Sequence, residues 1–202
     1  DSPDPAYIVL QMISLNYCET LSAAAGWSME EAKEQTIEAG NYVLIYEGAV
    51  LEGWDGQALR VANEVGTDIL AHAAESANAV VALGSCAVNG GWMAAYPNPS
   101  NALGVQQYLK KRGIDTPVVN VPGCPANPEW ATSLLVDVLL VGQLPELTNE
   151  NKPKVIFNQD TAGLRQVLIL LADNLRSLDT ALFGAAHHKI RRRIKSILLF
   201  LH

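Results

Sequence analysis

Residues 78–91 read NAVVALGSCAVNGG, and this stretch decides which fold the chain can adopt. Its first part, Ala79–Leu83, is a short apolar run between turn-forming residues. Such a run is typical of a strand that is buried on both faces of a parallel sheet. Gly84 ends the run and Cys86 follows, so the sequence predicts a thiol just beyond the carboxyl end of a central strand.

A second stretch repeats this arrangement: residues 116–125 read TPVVNVPGCP, an apolar run followed by glycine and Cys124. The carboxyl ends of parallel strands meet at one edge of a sheet, and open α/β sheets bind ligands there. The alternative is two small buried side chains, because free cysteine packs like a modest hydrophobe. Both cysteines lie among glycines and prolines beyond an apolar run, which favours metal or iron–sulfur ligation by Cys86 and Cys124.

Predicted strands and helices alternate along the first two thirds of the chain. The strands cover residues 7–15, 41–46, 79–83 and 118–121, and the helices cover residues 28–39, 67–76, 104–112 and 128–141. This alternation is typical of parallel βαβ units, so we predict an α/β fold with a doubly wound parallel sheet over residues 1–143. Residues 144–162 are predicted to be a linker with room for a short strand at 154–157, and residues 163–202 a helical, basic carboxy-terminal tail.

Composition and charge exclude several classes of function. The chain has 202 residues, 49% of them hydrophobic and 17% charged, as expected of a globular protein. Residues 1–162 hold 7 Lys+Arg and 19 Asp+Glu, a net charge of −12, so we expect no nucleic acid partner. Residues 163–202 hold 7 Lys+Arg and 2 Asp, a net charge of +5, which allows peripheral contact with an acidic membrane surface. Three cysteines are too few for a disulfide framework.

Several motifs together resemble the amino-terminal domain of the small subunit of nickel–iron hydrogenases. They are residues 10–26 (LQMISLNYCETLSAAAG), 46–48 (YEG), 84–86 (GSC), 97–99 (PNP) and 121–128 (VPGCPANP). The resemblance implies a flavodoxin-like fold and makes Cys86 and Cys124 two thiolate ligands of the proximal 4Fe–4S cluster. It also implies a separate large subunit that carries the nickel–iron centre, and this chain would then be the electron-transfer subunit.

The resemblance extends to three further residues in predicted loops. Cys18 stands where the family usually has His, so it is either a substitute cluster ligand or a small packed thiol. Glu19 and Glu47 correspond to glutamates that lie near the subunit contact, which implies an interface or proton-relay role. Ordinary solvated carboxylates are the alternative for both.

The chain also departs from the family. The family's Cys-x-x-Cys, which supplies the other two proximal ligands, precedes the region where this chain starts, and its cysteine-rich carboxy-terminal domain has no counterpart after residue 157. We expect either a truncated or divergent chain or a second chain that carries these parts. Because the chain begins with Asp1 rather than Met, we also expect processing or truncation upstream.

Other functions stay open. The first is a cluster-free module that docks to a large subunit. The second is flavin binding, which only the fold supports, because the sequence has no phosphate-cradling loop after the first strand. The implied electron acceptor is a protein or a quinone-linked cytochrome. The implied location is the periplasm or the cell membrane, with the cytoplasm as the alternative.

Four aromatic residues flank the two cysteine loops and are predicted to pack in the core or at the sheet edge. A partner surface is the alternative. These residues are Trp54, Trp92, Tyr96 and Trp130.

Overall fold

The computed structural model describes residues 13–157 and 196–201. The chain divides into two compact units. Of the described residues, 15–126 and 196–201 belong to the larger unit, and 13–14 and 127–157 belong to the smaller one. The predicted boundaries near residues 143 and 162 stay predictions.

The larger unit is built on a five-stranded, all-parallel sheet in the order β1-β9-β2-β6-β8. Its strands are β1 (Leu15–Cys18), β2 (Tyr42–Glu47), β6 (Ala79–Leu83), β8 (Val118–Val121) and β9 (Ser196–Leu201). Its helices are α1 (Trp27–Ala39), α2 (Gly66–Glu75), α3 (Gly84–Asn89) and α4 (Val105–Arg112). The predicted α/β fold with a parallel sheet is therefore confirmed.

Two short antiparallel pairs complete this unit. Strand β3 (Val50–Leu51) pairs with β7 (Ala102–Leu103), and β4 (Arg60–Val61) pairs with β5 (Glu64–Val65). A 3₁₀ turn over Gly91–Ala94 follows helix α3.

Buried tyrosines connect helix α2 to strand β2 and to helix α4. The Tyr42 hydroxyl donates to the carbonyl oxygen of Ala73 in α2. The Tyr108 hydroxyl of α4 donates to the carbonyl oxygen of Thr67 at 2.8 Å. Each hydroxyl gains a partner while its ring fills the core, so burial of these polar groups is compensated.

The carboxy-terminal strand β9 was not expected. Residues 163–202 are predicted to be helical, and of these residues 163–195 lie outside the described part. The structure shows Ser196–Leu201 as a strand between β1 and β2. Ile197 and Leu198 are buried in this central position. The helical prediction is wrong for these six residues, because an apolar segment with a parallel partner on each side satisfies its backbone as a central strand.

Two other local predictions are wrong. A loop is predicted from residue 16, but the first described strand ends at Cys18, so residues 16–18 belong to the sheet. Residues 7–12 lie outside the described part. Residues 154–157 form a short helix, α6 (Lys154–Phe157), instead of a strand. A four-residue apolar run does not distinguish the two structures by its periodicity.

In the smaller unit, helix α5 (Pro128–Val141) follows the predicted signals. The Asn127 side-chain oxygen accepts a hydrogen bond from the Glu129 N–H at 2.9 Å, and Gly142 ends the helix at φ 70°. The Trp130 and Phe157 rings pack edge to face with centroids 5.0 Å apart. In the described residues of both units, no helix combines the length and apolarity needed to cross a membrane.

Candidate metal centre

The two central cysteines lie beyond the ends of neighbouring strands. Strands β6 and β8 pair directly, with Leu83 opposite Val121 at their carboxyl ends. Cys86 follows Leu83 by three residues, and Cys124 follows Val121 by the same interval. The structure therefore brings both cysteines to one edge of the sheet, where the sequence predicts them.

Two hydrogen bonds join the segments that carry the cysteines. The Ser85 N–H donates to the Gly123 carbonyl oxygen at 2.8 Å. In return, the Gly123 N–H donates to the Ser85 hydroxyl oxygen at 3.1 Å. Ser85 and Gly123 each directly precede a cysteine, so this reciprocal pair fixes the backbone next to both thiols.

Gly123 is required by the turn after β8. Its φ is +145°, and a Cβ there would lie 2.8 Å from the Pro125 carbonyl oxygen and 2.8 Å from Ala126 Cα. Any other residue would clash with the backbone of this turn. Glycine thus lets the chain fold tightly around the Cys124 position.

The three free thiols differ in their exposure. Cys124 is exposed, Cys86 is half-buried and Cys18 is fully buried. A metal ligand has to present its sulfur to the metal, and Cys86 and Cys124 meet this requirement at the sheet edge.

The structure does not bring Cys18 to the other two cysteines. It ends strand β1, its sulfur lies 3.4 Å from the Thr20 hydroxyl, and β9 and β2 separate it from β6. Strands β1 and β6 are three strand spacings apart, which corresponds to about 14 Å across the sheet. A ligand role for Cys18 stays a prediction, and this position weighs against it.

Glu19 and Glu47 lie at the same edge of the sheet as the cysteines. Glu47 is exposed, ends strand β2, and is in register with Leu83 of β6. Glu19 follows β1 and accepts a long hydrogen bond of 3.4 Å from the Tyr17 hydroxyl. Burial, reinforced by the charges of Glu19 and Glu30, raises the pKa of Tyr17, so this phenol stays protonated. An interface or relay role for the two glutamates stays a prediction.

The four aromatic residues that the sequence singles out beside the cysteine loops are mostly exposed. The exposed fractions are 65% for Trp54, 76% for Trp92 and 99% for Tyr96. These three therefore do not pack in the core, and their packing at the sheet edge stays a prediction. Their exposure favours the alternative of a partner surface. Trp130 does pack, against Phe157.

The sequence analysis missed two further exposed apolar residues. Leu21 is 64% exposed and Trp27 is 85% exposed. Leu21 and Trp27 border a stretch of small residues, 22–26, that has no apolar periodicity. An apolar residue outside any periodic pattern is not expected in the core, and this signal indicates their exposure.

The cysteines at the sheet edge fit an iron–sulfur cluster only in part. A 4Fe–4S cluster binds four thiolates, and Cys86 and Cys124 are suited to supply two of them. In residues 13–157 and 196–201 no group of three or more His, Cys, Asp or Glu side chains is arranged to hold a metal ion. Cys86 and Cys124 are therefore candidates for two of the four thiolate ligands that such a cluster needs.

The fold and the thiol pair define an α/β protein with two cysteines beyond the carboxyl edge of a parallel sheet. The family described as NADH ubiquinone oxidoreductase, 20 Kd subunit, matches residues 1–138, and the chain belongs to this family.

Its relatives are small subunits of hydrogenases. It is 41% identical over 154 residues to the uptake hydrogenase small subunit of Afipia carboxidovorans, covering 75% of this chain and 41% of the relative. It is 36% identical over 159 residues to the hydrogenase-2 small chain of Escherichia coli, covering 78% and 42%. It is 38% identical over 157 residues to the quinone-reactive Ni/Fe-hydrogenase small chain of Wolinella succinogenes, covering 76% and 43%. The chain thus spans less than half the length of these relatives.

Solved structures show the same similarity. The [NiFeSe] hydrogenase of Desulfovibrio vulgaris Hildenborough superposes with a TM-score of 0.71 at 29% identity, covering 78% of this chain and 62% of that one. The actinobacterial-type NiFe-hydrogenase of Ralstonia eutropha gives a TM-score of 0.60 at 26% identity, covering 70% and 47%. The chain therefore shares its fold with part of each of these hydrogenases.

Proposed function

We propose that this chain is the electron-transfer part of a nickel–iron hydrogenase small subunit, and that Cys86 and Cys124 are two ligands of its proximal 4Fe–4S cluster. The observation that carries this proposal is the reciprocal hydrogen-bond pair between Ser85 and Gly123, which fixes the backbone beside both cysteines. The similarity to hydrogenase small subunits supports the same conclusion. The remaining ligands come from outside the described residues.

In this proposal the chain positions and shields the cluster. The Cys86 and Cys124 thiolates bind iron, and the core behind the sheet edge excludes water from one side. When bound, such a cluster accepts and releases single electrons. The partner's nickel–iron centre would supply the chemistry that splits hydrogen, so no acid–base step on hydrogen would fall to this chain.

The exposed aromatic residues are the proposed contact with the large subunit. Trp92 and Tyr96 belong to the segment that follows Cys86, and Glu47 lies at the same sheet edge. Aromatic side chains are enriched in protein interfaces. Docking here places the partner next to the two thiols, with Glu19 and Glu47 available for polar contacts.

The proposed electron acceptor is a protein or a quinone-linked cytochrome. The quinone-reactive relative from Wolinella succinogenes supports the second of these. The similarity to uptake hydrogenases supports a periplasmic or membrane-associated location. Membrane contact by the basic tail falls on residues outside the described part.

The test is metal analysis of the full-length protein, co-produced with its large subunit and purified without oxygen. We expect iron, acid-labile sulfide and visible cluster absorbance in the wild type. Cys86→Ser and Cys124→Ser should lower all three, whereas the matched variant Cys18→Ser should retain them. Unchanged iron in both Cys86→Ser and Cys124→Ser would overturn the ligand assignment.

A cluster-free docking module is the second candidate, and the exposed Trp54, Trp92 and Tyr96 favour it because they need a partner but no metal. Wild-type protein that binds the large subunit but contains no iron would establish this candidate and reject the first.

A further inference from the structure

Gly91 lies against the sulfur of Cys86. A Cβ at this position would be 2.6 Å from Cys86 Sγ, 3.1 Å from Cys86 Cα and 3.3 Å from Cys86 N. The first of these distances is far below a carbon–sulfur contact, so the sulfur or the turn would have to move. The absence of a side chain at Gly91 therefore keeps the observed position of Sγ available.

The backbone of Gly91 is itself held in place. Its N–H donates to the Asn89 side-chain oxygen at 3.0 Å, and the Gly90 N–H donates to the Cys86 carbonyl oxygen at 2.8 Å. Gly91 has a φ of +57°. The turn beside the sulfur is thus held by two residues that precede it in the chain, Asn89 and Cys86.

Ser85 acts on the other side of the same cysteine. Its hydroxyl oxygen accepts the Gly123 N–H, and its own N–H donates to the Gly123 carbonyl oxygen. Only the first of these bonds needs the side chain, so Ser85→Ala removes one bond and keeps the other. The hydroxyl therefore couples the backbone of the Cys86 segment to that of the Cys124 segment.

We infer that Ser85 and Gly91 are positioning residues for the metal-binding thiols: Gly91 sets where the Cys86 sulfur lies, and the Ser85 hydroxyl holds it at a fixed distance from Cys124. This inference rests on the proposed function, because it concerns how Cys86 and Cys124 hold a cluster. Neither residue is assigned as a ligand in this inference. Residues that orient metal ligands in this way change metal affinity by about 10- to 100-fold when they are replaced.

The experiment compares variants of the full-length protein in complex with its large subunit. The measurements are iron and sulfide content, the rate of iron loss to a chelator, and the electron paramagnetic resonance spectrum of the reduced cluster. We expect Ser85→Ala and Gly91→Ala to lose iron about 10- to 100-fold faster and to alter the spectrum. Ser85→Thr, which keeps the hydroxyl, should restore wild-type behaviour.

Two variants serve as matched controls. Gly113 has a φ of +72° with nothing within 4 Å of an added Cβ, so Gly113→Ala imposes left-handed backbone strain without a clash. Ser28→Ala removes an exposed hydroxyl that bonds only to the Ala25 carbonyl oxygen among the described residues. Both should match the wild type in iron loss and spectrum.

Thermal unfolding of each variant separates loss of the fold from loss of position. If Gly91→Ala does not fold, the Ser85→Ala and Ser85→Thr pair decides the result. Wild-type iron loss and spectrum in Ser85→Ala and in folded Gly91→Ala would overturn the inference while leaving the proposed function intact. A wild-type protein without iron would instead overturn the proposed function, and the inference with it.

Discussion

Leu83 and Val121 face each other at the carboxyl ends of two hydrogen-bonded parallel strands, and each is followed three residues later by a cysteine. The equal intervals place Cys86 and Cys124 beyond the same edge of the sheet. Ser85 and Gly123 then join the two segments directly. The geometry of the candidate metal centre is thus set by strand register and by one pair of neighbouring backbone segments.

Thiol reactivity should follow exposure. In cluster-free, folded protein we expect alkylation to be fastest at exposed Cys124, slower at half-buried Cys86 and negligible at buried Cys18. Peptide mass spectrometry after timed alkylation measures the three rates. Modification of Cys18 in native protein as fast as that of Cys124 would contradict the placement of Cys18 in strand β1.

The Lys33 ion pairs should contribute to stability. Lys33 is buried, with its ammonium 2.6 Å from Glu30, 3.5 Å from Glu64 and 3.6 Å from Glu34. Lys33→Met leaves these carboxylates without their shared cation, so the free energy of unfolding should fall by about 1–3 kcal/mol. This is less than for a fully buried pair because Glu34 and Glu64 keep solvent contact. In the matched variant Lys110→Met, which changes an exposed lysine, the free energy of unfolding should change by less than about 0.5 kcal/mol. If urea unfolding shows an equal effect of both variants, Lys33 does not have the stabilising role described.

The same ion pairs predict a dependence on pH. Burial alone would lower the pKa of Lys33, but the hydrogen bond to Glu30 and the surrounding carboxylates outweigh it and raise this pKa. A raised pKa in the folded state means that the contribution is complete at neutral pH and is lost as alkaline pH passes the folded-state pKa. Urea unfolding should therefore show the difference between wild type and Lys33→Met shrinking in strongly alkaline buffer. If the difference in the free energy of unfolding between wild type and Lys33→Met stays constant at alkaline pH, the charge of Lys33 is not its source.

Strand β9 should be essential to the core. Leu198 is fully buried and lies opposite Leu44 of β2. Leu198→Ala should lower the free energy of unfolding by about 2–5 kcal/mol. Leu21→Ala, the same change at a residue that is 64% exposed, should lower it by less than about 0.5 kcal/mol. If chemical denaturation finds the two variants equally stable, Ser196–Leu201 is not a central strand.

The exposed aromatic surface should carry the contact with the large subunit. Trp92→Ala or Tyr96→Ala should weaken complex formation by about 2 kcal/mol if the residue is an interface anchor, which is about 30-fold in Kd. Lys110→Ala is the control, because helix α4 ends before β8 and so at the opposite edge of the sheet from the cysteines. Binding of both aromatic variants with wild-type affinity would move the interface elsewhere.

Much of the fold could be predicted from local sequence signals. The strands Ala79–Leu83 and Val118–Val121 have the predicted bounds, and helix α5 begins and ends at its predicted cap residues. In these segments the apolar pattern and the Gly, Pro or Asn at the ends agree. The shared edge of the two cysteines follows from the same signals.

The remaining features depend on contacts that local sequence does not encode. Residues 197–201 form an apolar run beside a basic segment, and only the place between β1 and β2 makes this run a strand. The exposure of Trp54 and Trp92 depends on which surfaces the core leaves uncovered. The Ser85–Gly123 pair requires the register of β6 and β8.

The most direct test of the account is anomalous X-ray diffraction at the iron edge, on crystals of the anaerobically purified complex of the full-length protein with its large subunit. We expect an iron signal within bonding distance of the sulfurs of both Cys86 and Cys124. Iron bound elsewhere, with these two sulfurs unligated, would contradict it.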